Sequence, residues 1–274
     1  MELDNILNRR SFITKKLNEG ITPDFIMERL DAAKDLIGKI DYTNLNVNAT
    51  REDIESLCEK ATNLGVKSVC IRPDKVKLAA NELNDSPVLV CTVVSFPHGT
   101  DTTQEKLIET KRCIANGADE VDMVLNYPML KNQTLEEDDY EEMWDWIVED
   151  VKVLVNECHK YTNKNNEPIT LKVIVESGLL SDEETKNATQ ICLEAGADFI
   201  KTSTGMVEVG AELNKVQIMK SVIENDGSDM KIKASGGIRT LADMQKFDPM
   251  VDRFGMGFGS VDNIFGGGGG GDSY

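Results

Sequence analysis

Short β-branched runs recur along the chain with helical patterns between them, and this alternation sets the fold class. Apolar clusters predict strands at about 37–41, 67–71, 88–94, 120–125 and 171–176. Three more follow near 197–201, 231–235 and 253–257, which makes eight. The stretches between them predict helices at about 51–64, 74–83, 103–117, 138–160, 183–195, 212–224 and 240–248. A further helix is expected at about 22–35, ahead of the first strand. Thr50 before Arg51-Glu52-Asp53 and Ser181 before Asp182-Glu183-Glu184 have the spacing of capping boxes. Asn116-Gly117 and Ala195-Gly196 offer glycine where a helix end needs a left-handed residue.

Eight strands alternating with helices imply a parallel sheet covered on its faces. An open doubly wound sheet usually has fewer strands, and no GxGxxG follows the first strand here. Closure into a single (β/α)8 TIM barrel fits both the strand count and the 274-residue length. The expected organisation is one α/β barrel domain over 1–265, with an extra N-terminal helix. Six glycines, Gly266 to Gly271, then lead to Asp272-Ser273-Tyr274, which reads as a flexible tail over 266–274.

A formal charge of −18 speaks against nucleic acid, which needs a basic footprint, and against anionic membranes. Backbone N–H groups at strand and helix ends could still hold a phosphate in so acidic a chain. The six cysteines, Cys58, Cys70, Cys91, Cys113, Cys158 and Cys192, contain no CxxC pair and read as free core thiols of a reducing compartment. Met1-Glu2-Leu3-Asp4-Asn5 opens no apolar signal core, so a cytoplasmic protein is expected. His98 and His159, the only histidines, do not make a metal site, although carboxylates could hold Mg²⁺. The tryptophans of the acidic 138–160 helix, Trp144 and Trp146, read as packing or interface residues.

In a barrel, functional groups belong at the C-terminal strand ends. Asp41 and Thr43 are expected at the end of the first strand, Cys70 at the second, and Asp122 and Asn126 around the fourth. Lys172 and Glu176 share a face of the fifth strand, Lys201 ends the sixth, and Lys231, Lys233 and Ser235 share a face of the seventh. Lysines and carboxylates pointing into one barrel are a poor way to stabilise a core, so the set points to chemistry. Lys201 and Lys233 lie on neighbouring strands, and two adjacent ammonium groups depress each other's pKa. One neutral amine is what Schiff-base catalysis requires, and spacing leaves open which lysine supplies it. Asp122 could relay protons, and Thr202-Ser203-Thr204 could bind the rest of a substrate. Gly205, Gly236-Gly237 and the run Gly255-Met256-Gly257-Phe258-Gly259-Ser260 suggest a phosphate cradle after the last strands.

Several longer motifs now converge. Ile40-Asp41-Tyr42-Thr43-Asn44-Leu45, Ser95-Phe96-Pro97-His98-Gly99 and Asn116-Gly117-Ala118-Asp119-Glu120-Val121-Asp122 come first. Lys172-Val173-Ile174-Val175-Glu176-Ser177-Gly178 follows, then the stretch from Gly196 to Gly205 and Lys233-Ala234-Ser235-Gly236-Gly237-Ile238-Arg239-Thr240. In this order, from about Ile37 to Val261, the chain resembles the deoxyribose-phosphate aldolase family. The resemblance implies a cofactor-independent class I aldolase that cleaves 2-deoxy-D-ribose 5-phosphate reversibly to D-glyceraldehyde 3-phosphate and acetaldehyde. It implies Lys201 as the Schiff-base lysine, Lys233 as its pKa-lowering partner and Asp122 as the proton-transfer residue. Asp41, Thr43, Cys70 and Lys172 would surround the substrate, and Gly205, Gly236, Gly237 and Gly255 would hold its phosphate.

In some members a terminal tyrosine enters the site, a role that Tyr274 would take here. The chain departs from the family pattern at Met206, where a lysine can stand, and at Gly257 and Phe258, where serines are common. Phosphate contact would then rest on backbone groups, Arg239 and Ser260. No metal or organic cofactor is expected, and a homodimer is the default assembly. Two other readings are a Schiff-base aldolase for a different or unphosphorylated sugar, and a silent barrel that binds sugar phosphates.

Overall fold

The computed structural model describes residue 22 and residues 31–131 and 136–265. Eight parallel strands close into one barrel in sequence order, each paired with the strands before and after it. They are β1 (Ile40–Asn44), β2 (Ser68–Ile71), β3 (Leu89–Val94), β4 (Glu120–Val124), β5 (Thr170–Ile174), β6 (Phe199–Lys201), β7 (Lys231–Ser235) and β8 (Arg253–Gly257). Helices follow them as α1 (Arg51–Leu64), α2 (Val76–Glu82), α3 (Thr103–Ala115), α4 (Glu137–Cys158), α5 (Asp182–Ala195), α6 (Leu213–Asp226), α7 (Leu241–Phe247) and α8 (Phe258–Phe265). A one-turn helix, Tyr127–Leu130, stands between β4 and α4.

Local chemistry accounts for the helix boundaries. Thr50 Oγ1 accepts from the Asp53 N–H at 3.2 Å while Asp53 Oδ2 accepts from the Thr50 N–H at 2.8 Å. Ser181 and Glu184 close the same reciprocal box on α5. Thr102 with Glu105 and Thr240 with Asp243 do so on α3 and α7, two boxes the periodicity did not single out. None of the helices among the described residues is long and apolar enough to cross a membrane.

Strand alternation divides the core into two environments. Outward residues such as Val69, Val121, Val173, Ile200, Ile232 and Phe254 are buried against the helices. Their inward neighbours are polar: Ser68, Glu120, Asp122, Lys172, Lys201, Lys233 and Arg253 are all buried. The main apolar core of this barrel is therefore the shell between strands and helices, and the interior is charged beside a small apolar cluster of Leu45, Cys70, Cys91 and Val93.

Three expected boundaries move. β1 begins at Ile40 because residues 31–37 are helical and Gly38-Lys39 turn the chain, so Asp41 and Thr43 lie within the strand. β5 stops at Ile174, and Glu176 sits beyond it with a left-handed φ of 52°, so it leaves the strand face shared with Lys172. β6 is only three residues long. The helix expected at 22–35 falls largely, and the tail over 266–274 entirely, outside the described residues.

Candidate active site

Register brings the charged side chains together. Asp122 pairs with Lys172 across β4 and β5, Lys201 with Lys233 across β6 and β7, and Lys233 with Arg253 across β7 and β8. Asp41 lies opposite Ser68 on one side and Gly255 on the other.

Six of these groups form a closed ring of alternating charge. Asp122 Oδ1 accepts from Lys172 Nζ at 2.8 Å, and the same Nζ donates to Glu120 Oε2 at 2.7 Å. Arg253 Nη1 donates to Glu120 Oε2 at 3.0 Å and to Asp41 Oδ1 at 2.6 Å, while its Nη2 reaches Glu120 Oε1 at 3.2 Å. Asp41 Oδ2 accepts from Lys233 Nζ, which closes the ring on Asp122 Oδ2 at 2.7 Å. Three cations face three carboxylates. Lys201 stands outside the ring and donates to Asp122 Oδ2 at 2.8 Å, its one carboxylate contact. Ser68 Oγ and Cys91 Sγ fill remaining acceptor positions on Asp41 and Asp122.

The electrostatics follow from this connectivity. Burial alone would push the Asp41, Glu120 and Asp122 carboxyls up, but the neighbouring cations outweigh it and hold all three below the usual carboxylate range. Burial would likewise lower Lys172 and Lys233, yet their carboxylates raise both above the ordinary lysine value. Lys233 is therefore a fixed cation on the far side of the oxygen that Lys201 touches.

Above the ring, the loops after β6 and β7 meet at glycines. Gly205, Gly236 and Gly237 all have left-handed φ, and a Cβ on Gly236 would lie 3.0 Å from Gly210 Cα and 3.5 Å from Gly205 Cα. A Cβ on Gly255 would lie 2.2 Å from Ser235 Oγ and 3.0 Å from Lys233 Cε. The Ser203 and Ser235 hydroxyls beside these glycines are buried and make no hydrogen bond.

A barrel with two juxtaposed lysines, a shared carboxylate and free donors at its last strands calls for comparison with known proteins. Residues 36–259 match the family described as DeoC/LacD family aldolase. The chain belongs to that family. It is 44% identical over 201 residues to the deoxyribose-phosphate aldolase of Mycoplasmoides pirum, covering 73% of this chain and 83% of that one. It is 42% identical over 213 residues to the deoxyribose-phosphate aldolase of Staphylococcus carnosus, covering 78% and 86%. The tetrameric deoxyribose phosphate aldolase of Aeropyrum pernix superposes with a TM-score of 0.73 at 26% identity, over 87% of this chain and 93% of that one.

In this aldolase the other residues singled out in the sequence take varied places. Thr43 Oγ1 donates to its own strand at Asp41 O, 2.9 Å away. Thr202 Oγ1 donates to Ser235 O and accepts from Ser235 N–H, so it staples the ends of β6 and β7. Cys70 lies opposite Cys91, and hydrogen bonding from Cys91 draws its thiol pKa down against burial. Gly257 ends β8, and Ser260 is buried in the first turn of α8. Arg239 is exposed ahead of α7, where its backbone N–H donates to Asp243. Tyr274 lies outside the described residues. His98 is exposed, and His159 pairs with Asp198 on the outside of the barrel. Trp144 Nε1 donates to Glu194 across α4 and α5.

Sequence reasoning passed over Glu120, Arg253, Ser68 and Cys91. Period-two alternation carries the signal for the first two, since Glu120 precedes Asp122 by two and Arg253 precedes Gly255 by two. Among the described residues, two groups also have metal-ligand spacing, Cys70 with Cys91 and Asp122, and Asp41 with Cys91 and Glu120, their ligand atoms within 4.8 Å of one another. Their carboxylates already accept from lysines or Arg253, so a metal ion would compete with those cations.

Proposed function

We propose that this aldolase cleaves 2-deoxy-D-ribose 5-phosphate reversibly into D-glyceraldehyde 3-phosphate and acetaldehyde, with Lys201 as the Schiff-base amine. The observation that carries the choice of lysine is connectivity. Lys233 and Arg253 each bridge two carboxylates and Lys172 reaches three, whereas Lys201 has one and stands outside the neutral ring. Loss of its proton leaves no carboxylate without a cation, so its neutral form is the least costly among these amines.

In the cleavage direction Lys201 Nζ attacks the C1 aldehyde of the open-chain sugar. Proton transfers through Asp122 carry the carbinolamine to the iminium ion with loss of water. The iminium accepts the electron pair of the C2–C3 bond as the C3 hydroxyl proton leaves to Asp122 through a water. D-Glyceraldehyde 3-phosphate departs, and the remaining enamine is protonated at carbon and hydrolysed to acetaldehyde. Lys233 stays charged throughout and disfavours a second positive charge on Lys201. Gly205, Gly236, Gly237, Gly255 and Gly257, with Ser260 and Arg239, would receive the phosphate, supported by the unpartnered Ser203 and Ser235 hydroxyls. Tyr274 is retained as the donor that protonates the enamine. Deleting it should slow deuterium exchange of acetaldehyde, and an unchanged rate rules the role out.

Borohydride added with acetaldehyde should leave an ethyl group on Lys201, located by peptide mass mapping. Trapping on another lysine, or full turnover by Lys201→Ala, would overturn the assignment. A cytosolic setting and self-association belong to the same reading, the former supported by six free buried cysteines.

A further inference from the structure

Glu120 and Arg253 are ring members that Lys201 does not pair with, since its ion pair is with Asp122. Arg253 joins Glu120 to Asp41, and Glu120 joins Arg253 to Lys172. Both are buried, and the Phe199 ring lies beside them. The Arg253 guanidinium lies 5.5 Å from the ring centroid, Lys231 Nζ 5.7 Å and Lys172 Nζ 6.0 Å. Glu120 is 2% and Arg253 6% exposed, so the pair acts on neighbouring groups inside the barrel. As a stability device it is inefficient, because a buried ion pair scarcely outweighs its own desolvation.

Resting on the Schiff-base reading above, we propose that Glu120 and Arg253 are positioning residues for the Lys201 amine. They close the ring so that its charges cancel and Lys201 is left as the surplus cation. Remove the carboxylate and the ring becomes net positive; remove the guanidinium and it becomes net negative. Lys201 feels each change through Asp122 and Lys233. The other charged or titratable groups around Lys201 are Asp41 on β1, Cys70 and Cys91 on β2 and β3, Lys172 on β5 and Glu176 beyond β5. Glu176 is committed to Thr204, whose N–H and hydroxyl donate to it. Lys231 enters from below on β7. A substitution at Glu120 takes one partner from Lys172, and one at Arg253 takes one from Asp41. Both leave the direct contact of Lys201 with Asp122 in place, so a shift in opposite directions reports the ring's net charge.

The test is the pH dependence of acetaldehyde trapping by borohydride in the full-length enzyme. In Glu120→Gln the acid limb should move down by about one pH unit, and in Arg253→Met up by about as much. Arg253→Lys, which keeps the charge, should hold the limb at its wild-type position even if turnover falls. The double variant Glu120→Gln/Arg253→Met loses one charge of each sign and should also return the limb to that position, which covers a single variant that fails to fold. Limbs that do not move, or that move the same way in both single variants, overturn the proposal, as does a displaced limb in the double variant. Peptide mapping separates this from the parent reading. Trapping on Lys201 with unmoved limbs defeats the ring alone, whereas wild-type enzyme that does not trap on Lys201 defeats both.

Discussion

Lys201 and Lys233 donate to the same oxygen, Asp122 Oδ2, at 2.8 and 2.7 Å, yet only Lys233 has a second carboxylate, Asp41. On the Schiff-base proposal, this bridging atom joins the amine that must lose its proton to one that keeps it. Replacing Lys233 with Met removes the fixed cation while keeping the bulk of the side chain. The expected result is a fall in kcat/KM of roughly 10²–10⁴-fold, the usual scale for a proton-transfer assembly. The acid limb of the pH profile should also rise, because Lys201 becomes the sole ammonium on Asp122 Oδ2. A variant as active as wild type, with its limb in place, would sink the idea that Lys233 disfavours protonation of Lys201.

Acid stability follows from the same cluster. Asp41, Glu120 and Asp122 are all held low by their cations, against burial. The folded protein therefore resists their protonation, so their stabilisation is complete above the unfolded carboxyl values of about 4 and is lost as pH falls below them. Lys172 and Lys233 are raised, so their contribution is complete below the unfolded lysine value of about 10.4 and is lost only as pH rises past it. Urea midpoints should be flat in this respect between those limits and drop steeply in acid. Asp122→Asn, which takes an anion from three buried lysines, should cost about 3–5 kcal/mol at neutral pH and flatten the acid slope. Stability that increases on acidification below the carboxyl range would contradict this account.

The barrel was legible because β-branched runs and helical stretches alternate eight times, and because two of the four capping boxes, at Thr50 and Ser181, stand out in the sequence. The amines were legible because lysine in an apolar run is rare. The ring was not, since it depends on closure: Arg253 meets Asp41 only because β8 returns to pair with β1. Glu176 was misplaced for a local reason, a left-handed residue that no pattern of apolar positions encodes. Gly210 carried no signal either, for its role is to let the backbone of Gly236 approach it.

That approach can be tested directly. A Cβ on Gly210 would lie 2.3 Å from both the carbonyl carbon and oxygen of Gly236, so Gly210→Ala must push the two loops apart. KM for the phosphorylated sugar should rise by about tenfold, a loss near 1.4 kcal/mol, while acetaldehyde trapping on Lys201 is kept. Gly65→Ala serves as the control, because it meets nothing within 4 Å despite its left-handed φ. It should cost stability of about 1 kcal/mol and leave KM alone. Equal effects of the two substitutions on KM would show that the contact between the loops does not shape the phosphate end.

Met206 gives the complementary gain. It is 42% exposed, directly after Gly205, and its backbone N–H donates to Thr204 Oγ1 at 3.0 Å, so the side chain is free to change without loss of that bond. Met206→Lys places an ammonium at the rim of the glycine cradle in a chain of net charge −18. An exposed charge pair is worth up to about 1 kcal/mol, so KM for the phosphorylated sugar should fall by up to about fivefold. The gain should shrink as salt is raised, because the pair is exposed and screened. Deoxyribose without its phosphate should be handled as before, since the new charge has nothing to meet. Equal improvement on both sugars would place the substrate phosphate elsewhere and move the cradle away from Gly205, Gly236 and Gly237.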